Sequence, residues 1–233
     1  MLVRHTTELE MDNSLQNSTA PSMEAVLSTN KVLRNTYMLL GMTLVFSTIT
    51  ASIAMAMNLG QGAALIMTLA AFGLLFVVNR TADSSKGIVA IFAFTGLMGA
   101  SLGPMLNHYM AMSGGPELVM QAFGGTAVVF FGLSSYALTT RKNFSYMGGF
   151  LMVGLLVAVV ASIANIFLNI PALSLTISAA MVMIMSGLIL YDTSRIINGG
   201  ETNYIRATVA LYLDIYLLFM HLLNLLTAFG GDD

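Results

Sequence analysis

The sequence predicts an all-α membrane protein, a polytopic bundle of seven helices crossing a lipid bilayer. Three observations predict it. Charged residues fill only 9% of the 233 positions and apolar ones 57%, whereas a soluble domain carries about 25% charged residues. The mean hydropathy is +0.82. Charge-free runs of the roughly 18 residues needed to cross hydrocarbon recur along the chain.

Those runs cover about 36–57, 62–79, 87–109, 117–139, 145–168, 171–191 and 205–229. Ahead of them, residues 1–30 are polar and mixed in charge (Arg4, Glu8, Glu10, Asp12, Glu24) with no short apolar stretch. This predicts a flexible cytoplasmic tail before a membrane domain at 31–233, with no cleaved secretion signal. The first and second runs meet at Asn58–Gln61, a connection short enough to force a tight antiparallel hairpin. In the third, Pro104 beside Gly103 predicts a kink, and Gly96, Gly99 and Gly103 are spaced to let another backbone come close. Pro116 and Pro171 open the fourth and sixth runs, where a missing N–H costs nothing. On the fifth, Asn165 and Asn169 lie one turn apart and are expected to bond across helices. That run joins the sixth through Leu168–Ile170, a second tight hairpin. The seventh follows a turn at Asn198-Gly199-Gly200-Glu201. Tryptophan is absent, so anchoring at the membrane surface falls to Tyr37, Tyr109, Tyr146 and Tyr204, with His108 also interfacial.

Seven spans place every lysine and arginine on one side. Arg4, Lys31 and Arg34 precede the first span. Arg80 and Lys86 lie between the second and third, Arg141 and Lys142 between the fourth and fifth, and Arg195 and Arg206 between the sixth and seventh. Basic loops stay in the cytoplasm. The N-terminus is therefore expected inside and the C-terminus outside, in the periplasm.

Composition also excludes function classes. No basic surface is large enough to track a nucleic acid. Without cysteine there is no disulfide, thiolate metal site or cysteine nucleophile. Met181, Met183 and Met185 alternate rather than share a helical face, so the 19 methionines read as adaptable core filler, not a copper site. Gly-x-Ser-x-Gly, His-Glu-x-x-His and phosphate-loop motifs do not occur.

Two ionisable residues stand within apolar surroundings, Asp192 and Asp214. A charge in hydrocarbon costs at least ~2.5 kcal/mol, so each needs a partner or a cavity. Counted from the intervening turn, Asp192 is ~9 Å and Asp214 ~16 Å into the membrane. Tilt or an uneven turn must close that ~7 Å offset. Carboxyls that meet would share a proton and respond to acid. Fully ionised, they would suit Ca²⁺, with water or carbonyl oxygens completing the shell. Asp192 has a second possible partner in Arg195, three residues on. For Asp214 the nearest arginine on its helix, Arg206, is two turns away. His221 shares the face of Asp214, either as a proton relay or cation ligand or simply bonded to the next helix. Paired membrane aspartates also suggest an intramembrane aspartyl protease. Tyr212-Leu213-Asp214 departs from that family's Gly-x-Gly-Asp, however, and no Pro-Ala-Leu follows.

Tyr191-Asp192 closing the sixth span and Tyr212-Leu213-Asp214 in the seventh resemble the Bax inhibitor / YccA family. The stretch from Gly199 to Thr208 (GGETNYIRAT), Lys31 to Tyr37 (KVLRNTY) and Leu138 to Lys142 (LTTRK) are similar to its bacterial YccA branch. The likeness runs from about Leu27 to Phe229. It implies a non-enzymatic protein of the bacterial inner membrane, with two activities. One is a pH-sensitive Ca²⁺ leak sensed by an aspartate pair, matched here by Asp192 and Asp214. An arginine of the second helix latches that pair, and Arg80 is the nearest match. The other is binding and negative modulation of the membrane protease FtsH, with HflK and HflC as associated partners and the tail Met1 to Asn30 accessible to the protease. A calcium leak channel without a protease role is the alternative.

Overall fold

Inside a bilayer no water can satisfy a peptide group, so an apolar segment must close its hydrogen bonds within a helix. The computed structural model describes residues 23–230 and follows that rule. The helices are α1 (Met23–Ala56), α2 (Gln61–Thr81), α3 (Lys86–Ser101), α4 (Gly103–Met110), α5 (Gly115–Thr140), α6 (Gly148–Leu168), α7 (Pro171–Ile197) and α8 (Tyr204–Gly230), with one 3-10 turn at Ser145–Met147 before α6. Among the described residues there is no strand. With α3 and α4 taken as one broken span, seven segments among the described residues are long and apolar enough to cross a membrane.

The breaks have local causes. Pro104 cannot donate to the carbonyl four residues back, and the third span divides at Leu102, with Pro104 in the first turn of α4. Asn58 and Asn169 both take the left-handed conformation (φ 50°), which asparagine tolerates, and so end α1 and α6 in tight hairpins. Asn165 and Asn169 do not bond across helices as their spacing predicts. The Asn165 Oδ1 accepts from the Ile170 N–H at 3.1 Å, and the Asn169 N–H donates to the Asn165 carbonyl at 2.8 Å. The amides finish their own hairpin because the chain reverses there and leaves N–H groups open.

Two helices outrun the predicted spans. Residues 23–30, expected in the tail, form the first turns of α1, while residues 1–22 of that tail lie outside the described residues. The α7 helix continues past Asp192 to Ile197. Charge marks where hydrocarbon ends, not where helical hydrogen bonding ends.

The α8 helix is the axis of the bundle, touching α1, α2, α3, α5 and α7. The α6 helix packs only on α7 and the 3-10 turn among the described elements, and Phe150 and Phe167 on it are largely exposed, as befits a lipid-facing helix. The seam of α1 with α3 and α4 uses the predicted glycines. A Cβ on Gly96 would meet the Phe46 ring at 2.7 Å, one on Gly103 would meet the Ala54 methyl at 2.6 Å, and one on Gly99 would collide with the Ser47 carbonyl. The basic loops gather at one end of the bundle. Asn203 bonds to Ala82 and Asp83 of the α2–α3 turn, and Ser194 bonds to the Lys142 carbonyl after α5.

Candidate functional site

The connection from α7 to α8 sets the level of the two aspartates. Gly199 turns the chain at φ +73°, and the N–H groups of Gly200 and Glu201 fold back on the Arg195 carbonyl at 2.8 and 3.2 Å. The chain then runs to the α2–α3 turn. There the Asn203 amide donates to the Ala82 carbonyl at 2.9 Å and to Asp83 Oδ1 at 2.8 Å. Its own Oδ1 accepts the N–H groups of Ile205 and Arg206 at 2.9 and 3.1 Å, capping α8. Arg206 completes the clasp with Asp83 Oδ2 at 2.7 Å.

Asp192 and Asp214 are neighbours across the α7–α8 seam, near enough for each carboxyl to feel the other's charge. Asp214 is 5% exposed, and no N–H or hydroxyl group donates to its buried Oδ2. Asp192 lies nearer the loop, with 13% of its side chain exposed and Arg195 Nη1 3.7 Å from its Oδ1. Arg195 also approaches Glu201 Oε2 at 3.8 Å, donates to the Gly200 carbonyl at 3.4 Å and lies 5.6 Å from the Tyr191 ring centre. Arg80 does not hold the pair. It is exposed on α2, and no ion pair involves it among the described residues. The cation beside Asp192 is Arg195, because three residues along a helix return a long side chain to the same face.

Two carboxylates alone make an incomplete cage. No group of three or more His, Cys, Asp or Glu side chains converges among the described residues, and a hard divalent cation needs more oxygens than two carboxyls supply. His221 does not reach the pair. Its Nδ1 shares a hydrogen bond with Ser178 Oγ of α7 at 3.0 Å, the neighbour-helix role open to it from sequence.

Sequence reasoning missed a second polar thread, on the opposite side of α8. The Ser47 hydroxyl lies 2.6 Å from the Thr95 carbonyl and 2.7 Å from the Tyr212 hydroxyl, and Tyr216 meets Ser101 at 3.2 Å. Tyr212 is 1% exposed. Its four-residue spacing from Tyr216 was the available signal, a shared face of one helix. Nearby, a cavity of about 590 Å³ separates α1 from α5, and its lining holds no acid, base or histidine. Ionisable chemistry therefore belongs to the α7–α8 seam.

Comparison with known proteins finds relatives along nearly the whole chain. The family model described as inhibitor of apoptosis-promoting Bax1 matches residues 29–231. A membrane protein of Vibrio cholerae is 50% identical over 91% of this chain and 96% of its own length. The Escherichia coli K12 protein named modulator of FtsH protease YccA is 49% identical over 93% of this chain and 98% of its own. An inner membrane protein YccA of Escherichia coli O6:H1 matches to the same extent.

Proposed function

The chain belongs to the Bax inhibitor family, and on that premise we propose that it is a multi-pass inner-membrane protein that restrains an FtsH-type ATP-dependent protease. The observation that carries this reading is the 49% identity, over 98% of its length, to a protein named for that role. The family and this relative are described as inhibitor and modulator, regulators rather than enzymes, so the aspartyl protease reading falls away. HflK and HflC are further partners that the reading anticipates. The basic end of the bundle would face the cytoplasm, delivering residues 1–30 to the side where the protease hydrolyses ATP.

In this reading the acidic pair is the responsive element. Two charges 4 Å apart repel by about 4 kcal/mol at an effective dielectric of 20, so neighbouring buried carboxyls hold a proton between them. Acidification would weaken the attraction of Asp192 for Arg195 and loosen the cytoplasmic ends of α7 and α8. Cation leak along the loosened seam is the second reading, favoured by the buried Asp214 oxygen to which no N–H or hydroxyl donates. Purification from mild detergent tests the first reading. A membrane AAA protease should co-purify, and deletion of residues 1–25 should change both turnover of the chain and inhibition of the protease. Absence of the protease from the purified material, with both rates unmoved by the deletion, would refute it. Calcium flux in liposomes tests the second reading, which fails if Asp214→Asn leaves both the flux and its acid response unchanged.

A further inference from the structure

The α7–α8 seam has a second polar region, at the end remote from the basic loops. Ser178, 1% exposed, joins two groups of α8 by accepting from the Asn224 amide at 2.9 Å and bonding His221 Nδ1 at 3.0 Å. Beside this cluster is a cavity of about 340 Å³, also lined by Asn165 and Asn169 from the end of α6 and Ser174 from the start of α7. Neutral oxygens and amides next to hydrocarbon require partners, and the space admits several waters.

Two further observations say what the cavity suits and where it stops. Among the described residues every lysine and arginine lies at or before the opposite end of its span, and Glu117 is the one acidic residue at this end. A cation therefore approaches without a repelling charge. Inward of Ser178, the seam is closed by Met181, Met185 and Ile189 of α7 and Leu218 of α8, all 5% exposed or less. This apolar stretch separates Ser178 from Asp192 by ~21 Å along α7, and Asn224 from Asp214 by ~15 Å along α8.

We propose that the Ser178–His221–Asn224 cavity is an aqueous vestibule for small hydrated cations, and that Met181, Met185 and Leu218 form the hydrophobic plug between it and the acidic pair. Constrictions of this kind exclude water until they part, and unbranched thioethers reorient readily. The inference depends on the proposed orientation only for the side of the membrane from which the vestibule is reached. Protease control does not enter it.

The absence of native cysteine allows a direct test. Full-length protein carrying Ser178→Cys, Asn165→Cys, Met185→Cys or lipid-facing Val153→Cys would be labelled in sealed proteoliposomes with charged, membrane-impermeant thiosulfonates, applied to each face in turn. Labelling after denaturation normalises each rate. Thiols at 178 and 165 should react at least tenfold faster than those at 185 and 153, and faster with a cationic than with an anionic reagent. Should Ser178→Cys fail to fold, Asn165→Cys decides. Protection of both positions to the level of Val153→Cys would overturn the vestibule, and rapid labelling of Met185→Cys would overturn the plug. Fast labelling from the unexpected face would sustain the vestibule while reversing the orientation assigned above.

Discussion

Gly99→Ala is the sharpest test of how the bundle is closed. A methyl at this position would overlap the Ser47 carbonyl, approach Thr50 Oγ1 to 2.5 Å and the Ser47 Cα to 2.6 Å. Carbon contacts settle near 3.5–4.0 Å, so α1 must retreat from α3 by about 1 Å. Two of the three obstructing atoms are backbone, which no rotamer change can clear. Overpacking of this kind costs about 1–3 kcal/mol. The same retreat stretches the 2.6 Å bond from Ser47 to the Thr95 carbonyl and the 2.7 Å bond to Tyr212, each worth about 0.5–1.5 kcal/mol net. Gly41→Ala on α1 is the matched control, since nothing lies within 4 Å of its Cβ position, and it should be neutral or stabilising by about 0.5–1 kcal/mol. Tryptophan and cysteine are both absent, so the readout is the fraction surviving a heat step as a monodisperse peak on size-exclusion chromatography. Gly99→Ala should lose that peak at a clearly lower temperature than the parent. Equal midpoints for Gly99→Ala and Gly41→Ala would refute the close α1–α3 approach.

Four further substitutions probe other contacts by the same assay. Asn203→Ala removes the cap of α8 together with its anchor to Ala82 and should cost about 1–2 kcal/mol. Asp83→Asn disturbs an ion pair whose side chains are 40% and 75% exposed and should cost no more than about 1 kcal/mol; an equal loss for both would contradict the capping role. Ser47→Ala breaks two short bonds, whereas Tyr212→Phe leaves Ser47 its Thr95 partner, so the serine variant should be the less stable. The reverse order would mean that the Tyr212 hydroxyl holds the seam through its 3.3 Å approach to the Thr95 carbonyl instead.

Most of the fold was legible because lipid simplifies the problem. Uninterrupted apolar length, Pro104, and the short connections at Asn58–Gln61 and Leu168–Ile170 each act locally, and the structure places the spans and breaks where they indicate. Charge was the poorer guide to ends. Stopping at Asp192 cut α7 short, although the helix runs on until Gly199 permits a positive φ. Contacts that depend on side-chain reach were not legible. Arg80 was assigned from a family pattern, and the structure puts Arg195 beside Asp192. Asn165 looked like an inter-helix donor only because its hairpin geometry was unknown. The nearness of Asp192 and Asp214 was a conditional expectation, since the path between their helices includes the grip of Asn203 on a loop 120 residues earlier, which residue counting does not reveal.

Protease inhibition in proteoliposomes, measured at neutral and mildly acidic pH, tests the functional reading most directly. The ratio of substrate degradation with and without the chain would be compared for the native sequence and Asp214→Asn. The reading predicts slower degradation with the native chain, by a ratio that changes on acidification, and a ratio for Asp214→Asn that is the same at both pH values. Degradation unaffected by the native chain at either pH would contradict it.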